Sequence, residues 1–389
     1  MKPGTLRTLN RRLLSSQLLI KKARGKSSLI SITEACSGIN SQNFRDSFLS
    51  FWARAGSFSD KALLSGFKPK GDLSRTWTVR GTVHTFPSKD YYTHVFGSPR
   101  DRILASHDRY ARQLGLPERQ RRIELLYEPL LDEIKEEMVT KDFIGKFMAE
   151  KLGRLGLKGY MKLDRGWTSE ATHGPTWTGI AEMSYLGLLS NAGRIGSGNR
   201  WMSTAHWLKS GTKVPDVDDC ALKLVSSYIE NYGPVSFSDI VYWTGHRKGD
   251  MSRIINSIRG NLVVDKFDNS DEEYFSLGNQ YEGATPPPKV IILPRFDSLM
   301  MGHSDKSRFM SPERRNKVFI SAGIINPTIL LNGFVAGTWR KEGRKRGLGI
   351  HAAIFEEIGP SDRMAIEEKF SEYGDYLKSD VSVTFHQSS

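Results

Sequence analysis

The sequence is short of cysteine. Only Cys36 and Cys220 occur among 389 residues, far apart and in segments that read as helical. Two such cysteines make neither a disulfide framework nor a zinc site, and they suit a reducing compartment. Long apolar runs are missing too. None approaches the roughly 18–20 residues that a membrane-spanning helix needs. The nine histidines form no HExxH or HxH spacing, so no catalytic metal is expected. The first 26 residues hold no acid. They carry Lys2, Arg7, Arg11, Arg12, Lys21, Lys22, Arg24 and Lys26 instead. Such an opening could imitate an organellar transit peptide. "LRTLNRRLLSSQLLI" has leucines near helical spacing, however, and no secretory apolar region follows. A basic opening helix in a cytoplasmic protein is the better reading.

What is present points to nucleic acid. The net charge is +13 and the isoelectric point about 9.6. Charge of that size describes partners rather than fold. No basic amphipathic segment with an aromatic or leucine face stands out, so duplex nucleic acid ranks ahead of a membrane surface. Hydrophobic residues make up 38% and aromatics 10%. That is enough for real cores, and the length suggests about two to four domains.

The pattern along the chain is helices followed by hairpins. "SLISITEACSGI" (28–39) has a serine start and a glycine stop. In "SQNFRDSFLSFWARAG" (41–56), Phe44, Phe48, Phe51 and Trp52 form one helical face. "SRTWTVRGTVHTFP" (74–87) alternates like a hairpin bent at Gly81. "SKDYYTHVF" restarts a helix, with Ser88 a plausible cap. Residues 118–208 repeat the order with three helices and a short ribbon. So do residues 218–278, where Gly233-Pro234 breaks the chain, Ser236 or Ser238 caps a helix and Gly245 ends it. These are the elements of helix-turn-helix units with wings. "TPPP" (285–288) marks a boundary. The chain beyond it is β-rich: "KVIILPRFD", "KVFIS", "TILLNGFVAGTWRK" and "GIHAAIFEEI". Asn332-Gly333 sits at a hairpin turn, and "SDRMAIEEKFSEYGDYL" is a closing amphipathic helix. The expected fold class is α+β, with units at 1–117, 118–212 and 213–284 and a β-barrel-like domain at 289–389.

Four stretches, in this order, resemble the winged-helix DNA glycosylases for alkylated purines, the AlkZ family. They are "GINSQN" (38–43), "RTWTVRGTVHTFPSKD" (75–90), "NYGPVSFSDIVYWTGH" (231–246), and "LPRFDSLMMGHSDKSRFM" (293–310) with "LLNGFVAGTWR". The resemblance implies tandem winged-helix domains in a concave, basic arrangement closed by the C-terminal barrel. It implies monofunctional hydrolysis of the N-glycosidic bond of N7- or N3-alkylpurines in duplex DNA, within base excision repair. Some members unhook interstrand crosslinks. It implies no metal and no organic cofactor, and it fits a monomer associated with the nucleoid.

The family's catalytic motif is Gln-x-Gln. Aligned on the preceding glycine, its positions fall on Asn40 and Gln42. Gln42 matches, and Asn40 is one methylene shorter than the family residue. The chemistry is reasonable for amides. A base alkylated at N7 already carries positive charge and leaves readily, so a positioned water and electrostatic support can suffice. The bland alternative for both residues is an Asx-type turn or helix cap. Arg80 and His84 would share one face of the "RGTVHTF" ribbon with Thr82. They read either as DNA-facing groups or as ribbon side chains bonded to backbone. Trp77 reads as core. Asp297 reads as a carboxylate that pairs with Arg308 or caps a turn, rather than as a catalytic acid. "WRKEGRKR" supplies Arg340, Lys341, Arg344, Lys345 and Arg346, either a solvated loop or a phosphate clamp. "QRR" (120–122) and "HRK" (246–248) are weaker forms of that signal. The rival to a glycosylase is a non-catalytic winged-helix DNA-binding protein, such as a regulator or repair accessory.

Overall fold

A computed structural model describes residues 1–156, 175–195, 198–268, 270–278, 285–320, 323–343 and 347–387. The chain divides into two compact units. One comprises Met1–Ala62, Ser226–Trp243 and Arg247–Ser389, the other Leu63–Val225 and Thr244–His246.

The first unit opens with the expected basic helix, Pro3–Ser16, which buries Leu9, Leu13 and Leu14. The motif helix Phe44–Arg54 follows and buries Phe44, Phe48 and Phe51. The stretch after Ser226 carries the end of the helix Val217–Tyr232, the short strand Val235–Ser236 and the helix Phe237–Thr244. The helix Lys248–Ile258 and the strands Val263–Asp265 and Tyr274–Ser276 come next. Tyr274–Ser276 lies between the other two strands, antiparallel to both. The cap at residue 236 is reciprocal. The Asp239 backbone N–H donates to Ser236 Oγ at 3.2 Å, and the Ser236 N–H donates to Asp239 Oδ2 at 3.1 Å. That is a capping box, with two otherwise orphaned donors satisfied.

The C-terminal part is an open five-stranded sheet, and this corrects the expected barrel. Its order is Val381–Gln387, Leu348–Ile354, Phe334–Gly343, Thr328–Leu331, Val290–Leu293. All neighbours are antiparallel except Leu348–Ile354 with Val381–Gln387, which run parallel. A parallel pair needs a crossover, and the closing helix Pro360–Leu377 provides it. That helix lays Ile366, Phe370 and Tyr373 on Ile292, Ile329, Trp339 and Ile350 of the sheet. A helix thus covers the apolar face that a barrel would have turned inward. Asn332 and Gly333 both take positive φ, 50° and 88°, as the two-residue hairpin turn requires. "KVFIS" is not a strand as far as it is described. Lys317 and Val318 end the helix Pro312–Val318, and Phe319 makes an isolated bridge to Ile325.

The second unit carries a sheet with four strands in the order Val83–Pro87, Leu73–Trp77, Leu189–Ile195, Gly198–Ser203, all antiparallel. Its core gathers Leu126, Leu130, Ile144, Met148, Ile180, Met183 and Trp201. Trp77 packs against that core and meets Trp177 edge-on at 5.9 Å, the core role expected of it. Ser88 does not cap a helix; its hydroxyl meets Ser74 Oγ at 2.9 Å. Within "QRR", Arg122 is buried against Glu182 at 2.6 Å and Asp108 at 2.7 Å. That residue is structural rather than a DNA contact.

Candidate active site

The amide-bearing loop begins where the helix Ser28–Ala35 stops. Ser37 and Gly38 take φ of 45° and 99° in succession. The Gly38 N–H donates to Thr33 O at 2.8 Å, the wide bond of a Schellman-type end. Three ties from distant residues hold the carbonyls here. Gln17 Nε2 donates to Ala35 O at 2.7 Å, the Tyr232 hydroxyl to Cys36 O at 2.9 Å, and Ser298 Oγ to Gly38 O at 3.4 Å. Cys36 is fully buried, and burial pushes its thiol up to about 11, so it stays protonated and unreactive.

Asn40 follows, 7% exposed. Its Oδ1 accepts from the Gln42 backbone N–H at 3.3 Å, an Asx turn. That bond fixes which end of the amide is which. The Nδ2 group is buried and has no hydrogen-bond partner among the described residues. A buried donor without a partner is costly, on the order of 1–3 kcal/mol, and marks a place where a ligand could supply one. Ser41 is buried, with its hydroxyl on Ile39 O at 3.1 Å. Gln42 is exposed. Asn43 is the helix cap: its Oδ1 accepts from Arg45 N at 3.1 Å and Asp46 N at 3.4 Å. The turn-and-cap reading therefore holds for Asn40 Oδ1 and Asn43. Asn43 and one face of Asn40 build the turn, while Asn40 Nδ2 and the Gln42 side chain remain uncommitted by it.

Asp297 is not an acid in this site. Arg54 grips it with two bonds, Nη1 to Oδ2 at 2.9 Å and Nη2 to Oδ1 at 2.7 Å, with both side chains fully buried. Ser50 Oγ and the Leu299 N–H add bonds at 2.7 and 3.0 Å. The expected turn cap is correct, and the pairing partner is Arg54 rather than Arg308. Arg308 donates instead to Pro234 O at 2.5 Å. Asp297 therefore clamps the motif helix, and its neighbour Ser298 holds the motif loop.

Arg340 and Lys341 are exposed on the outer end of the strand Phe334–Gly343. Burial raises the Asp46 carboxyl, and Lys341 and Arg295 pull it down. Lys341 thus lies within electrostatic reach of the first turn of the motif helix. Arg344, Lys345 and Arg346 lie outside the described residues.

In the second unit, Arg80 and His84 do not alternate along one strand as expected. Residues 79–81 form a tight turn, with Arg80 at φ 57° and Gly81 at φ 70°. His84 is 3% exposed and sits behind Arg80. Its Nδ1 meets Thr78 Oγ1 at 2.8 Å and Thr82 O at 3.2 Å, and its Nε2 faces Arg80 Nη2 at 3.4 Å. Arg80 can only donate, so Nε2 accepts and Nδ1 carries the proton. Burial, reinforced by the Arg80 charge, lowers the His84 pKa well below its ordinary value and keeps the ring neutral. In "HRK", His246 Nε2 faces Gly97 O at 3.0 Å, and Arg247 and Lys248 are exposed.

A family model described as DNA glycosylase AlkZ-like matches residues 33–376. The chain belongs to the AlkZ-like DNA glycosylase family. An interstrand DNA cross-link repair glycosylase of Streptomyces sahachiroi is 23% identical over 280 residues, 69% of this chain and 70% of that one. The solved structure of Streptomyces sahachiroi DNA glycosylase AlkZ has a similar fold, with a TM-score of 0.76 at 19% identity. The alignment covers 98% of this AlkZ-like chain and 99% of the other. Among the described residues of this family member, no helix is long and apolar enough to cross a membrane. Among the same residues, no group of three or more His, Cys, Asp or Glu could hold a metal ion.

Proposed function

We propose that this chain hydrolyses the N-glycosidic bond of alkylated purines in duplex DNA. The observation that carries the proposal is the buried, unpartnered Nδ2 of Asn40 beside the exposed amide of Gln42. In the reaction, the C1′–N9 bond breaks and its electron pair cancels the charge of the alkylated base. Water adds at C1′ and releases a proton to solvent. Gln42 Oε1 accepts from that water and aims it. Asn40 Nδ2 donates to a sugar or phosphate oxygen as the sugar becomes oxocarbenium-like. No general acid is required, and Asp297, which clamps the motif helix, is itself held by Arg54. Arg80, Arg340 and Lys341, with Arg344, Lys345 and Arg346, hold the duplex backbone, and His84 supports Arg80. The stretches 1–117, 118–212 and 213–284 act as tandem winged-helix units on that duplex. The name of the Streptomyces relative makes interstrand crosslinks a second substrate to test.

The rival reading is a DNA-binding protein without chemistry, and Asn40 is the residue that favours it, since its side chain is shorter than that of the family motif. One experiment separates the two. Duplex carrying N7-methylguanine is incubated with the protein and free base is measured. Base release is expected, reduced about 10²-fold in Gln42→Ala. Asn40→Gln is expected to alter the rate without altering duplex affinity. Tight binding with no base release from any alkylated duplex leaves the non-catalytic reading standing.

A further inference from the structure

The opening helix Pro3–Ser16 borders a cavity of about 630 Å³ in the first unit. Leu6, Pro287 and Phe334 give it an apolar floor, and Arg7 and Arg11 stand on its helix wall one turn apart. Asn332, exposed at the hairpin turn, lies at its rim. The volume falls inside the range of roughly 300–1,000 Å³ usual for ligand pockets. It is large enough for an aromatic or leucine side chain with its flanking backbone.

We propose that this groove binds an acidic peptide segment of a partner protein that carries one apolar anchor residue. Three observations commit it to that occupant. Arg7 and Arg11 have no ion-pair or hydrogen-bond partner among the described residues. The carboxylate that meets this helix, Asp268, is already engaged by Thr5 Oγ1 at 2.9 Å and by the Lys2 backbone N–H. Their two guanidinium groups therefore stand ready for incoming carboxylates, which they bind in fork geometry. The floor argues against duplex DNA as the occupant, because a phosphate backbone gains nothing from Leu6, Pro287 and Phe334. An anchor side chain does, by leaving water for that floor. Asn332 can meet the peptide backbone with its free amide.

The test uses the full chain and a fluorescein-labelled peptide, Asp-Asp-Asp-Ser-Phe, in a fluorescence anisotropy titration. A contact this small should give a dissociation constant of roughly 10–100 μM. The double variant Arg7→Glu/Arg11→Glu should weaken it at least about tenfold. Replacing the peptide's phenylalanine by serine should weaken it by a similar factor. Arg7 is exposed and Arg11 half-buried, and circular dichroism checks that the variant is folded. The proposal fails if the peptide does not saturate the protein. It fails equally if the double variant binds the peptide as the parent does. Displacement of the peptide by undamaged duplex, with matching loss of duplex affinity in the variant, would assign the groove to DNA instead.

Discussion

At the scale of single residues, the loop around Asn40 shows what a sequence can and cannot reveal. The spacing of Asn40 and Gln42 was visible at once, and so was the possibility of an Asx turn. Which amide atoms the turn uses was not visible, because that depends on Asn43 taking the helix cap. Arg80 was less legible still. Alternation put it on a strand face with His84, but two successive left-handed residues place it on a turn. The glycine at 81 was the available signal; a left-handed arginine, which costs roughly 1–2 kcal/mol, was not foreseeable. The result is an arginine propped from behind by a neutral histidine. Arg80→Ala should weaken duplex binding uniformly across sequences and reduce the salt-dependence slope by about one. His84→Leu should weaken binding in the same direction although it removes no exposed group, and His84→Gln should recover part of the loss. Salt titrations of duplex binding would check all three, and an unchanged slope in Arg80→Ala would remove Arg80 from the interface.

At the scale of elements, the hairpins and helices were largely legible and their assembly was not. The Asn332-Gly333 turn, the capping box at Ser236 and the aromatic face of the motif helix all rest on local rules. Sheet closure does not. "VSVTFHQ" (381–387) alternates plainly, yet its parallel pairing with Leu348–Ile354 depends on the closing helix acting as a crossover, a role that its amphipathic pattern does not announce. The Asp297 clamp is likewise a contact across 243 residues of chain. Breaking it should be severe. Asp297→Asn leaves the Arg54 charge buried without a counter-charge, and loss of one partner from such a pair typically costs about 3–5 kcal/mol. Urea unfolding should show a loss of that size with an unchanged slope. A loss under about 1 kcal/mol would mean that the pair is not buried in solution.

At the scale of the whole molecule, charge was the most legible property and acid sensitivity the least. His94 stacks on Phe86 with ring centroids 4.2 Å apart, and burial lowers its pKa to about 3. Burial also lowers His303 and His84, His303 in the field of Arg308. In the unfolded chain these rings take up protons near 6.5, while the folded chain refuses them. Their stabilising contribution is therefore complete above about 6.5 and shrinks as pH falls toward the folded value. Each such ring adds a slope of up to about 1.4 kcal/mol per pH unit in that interval. The buried carboxylate Asp239 is lowered from 3.8, so it matters only at more acid pH. Thermal melting points should fall steadily between about pH 6.5 and 4.5, and His94→Gln should flatten that fall. A melting point that stays constant over this interval would contradict neutral buried histidines.

The ties on the amide loop have one more consequence. Ala35, Cys36 and Gly38 are fastened by Gln17, Tyr232 and Ser298, which lie up to 260 residues away in the chain. Few openings of the loop can then occur short of releasing those segments. Its exchangeable protons should therefore fall in the slowest class of the unit in a hydrogen-exchange measurement. An N-terminal fragment ending after the motif helix would contain every letter of the motif and none of the geometry.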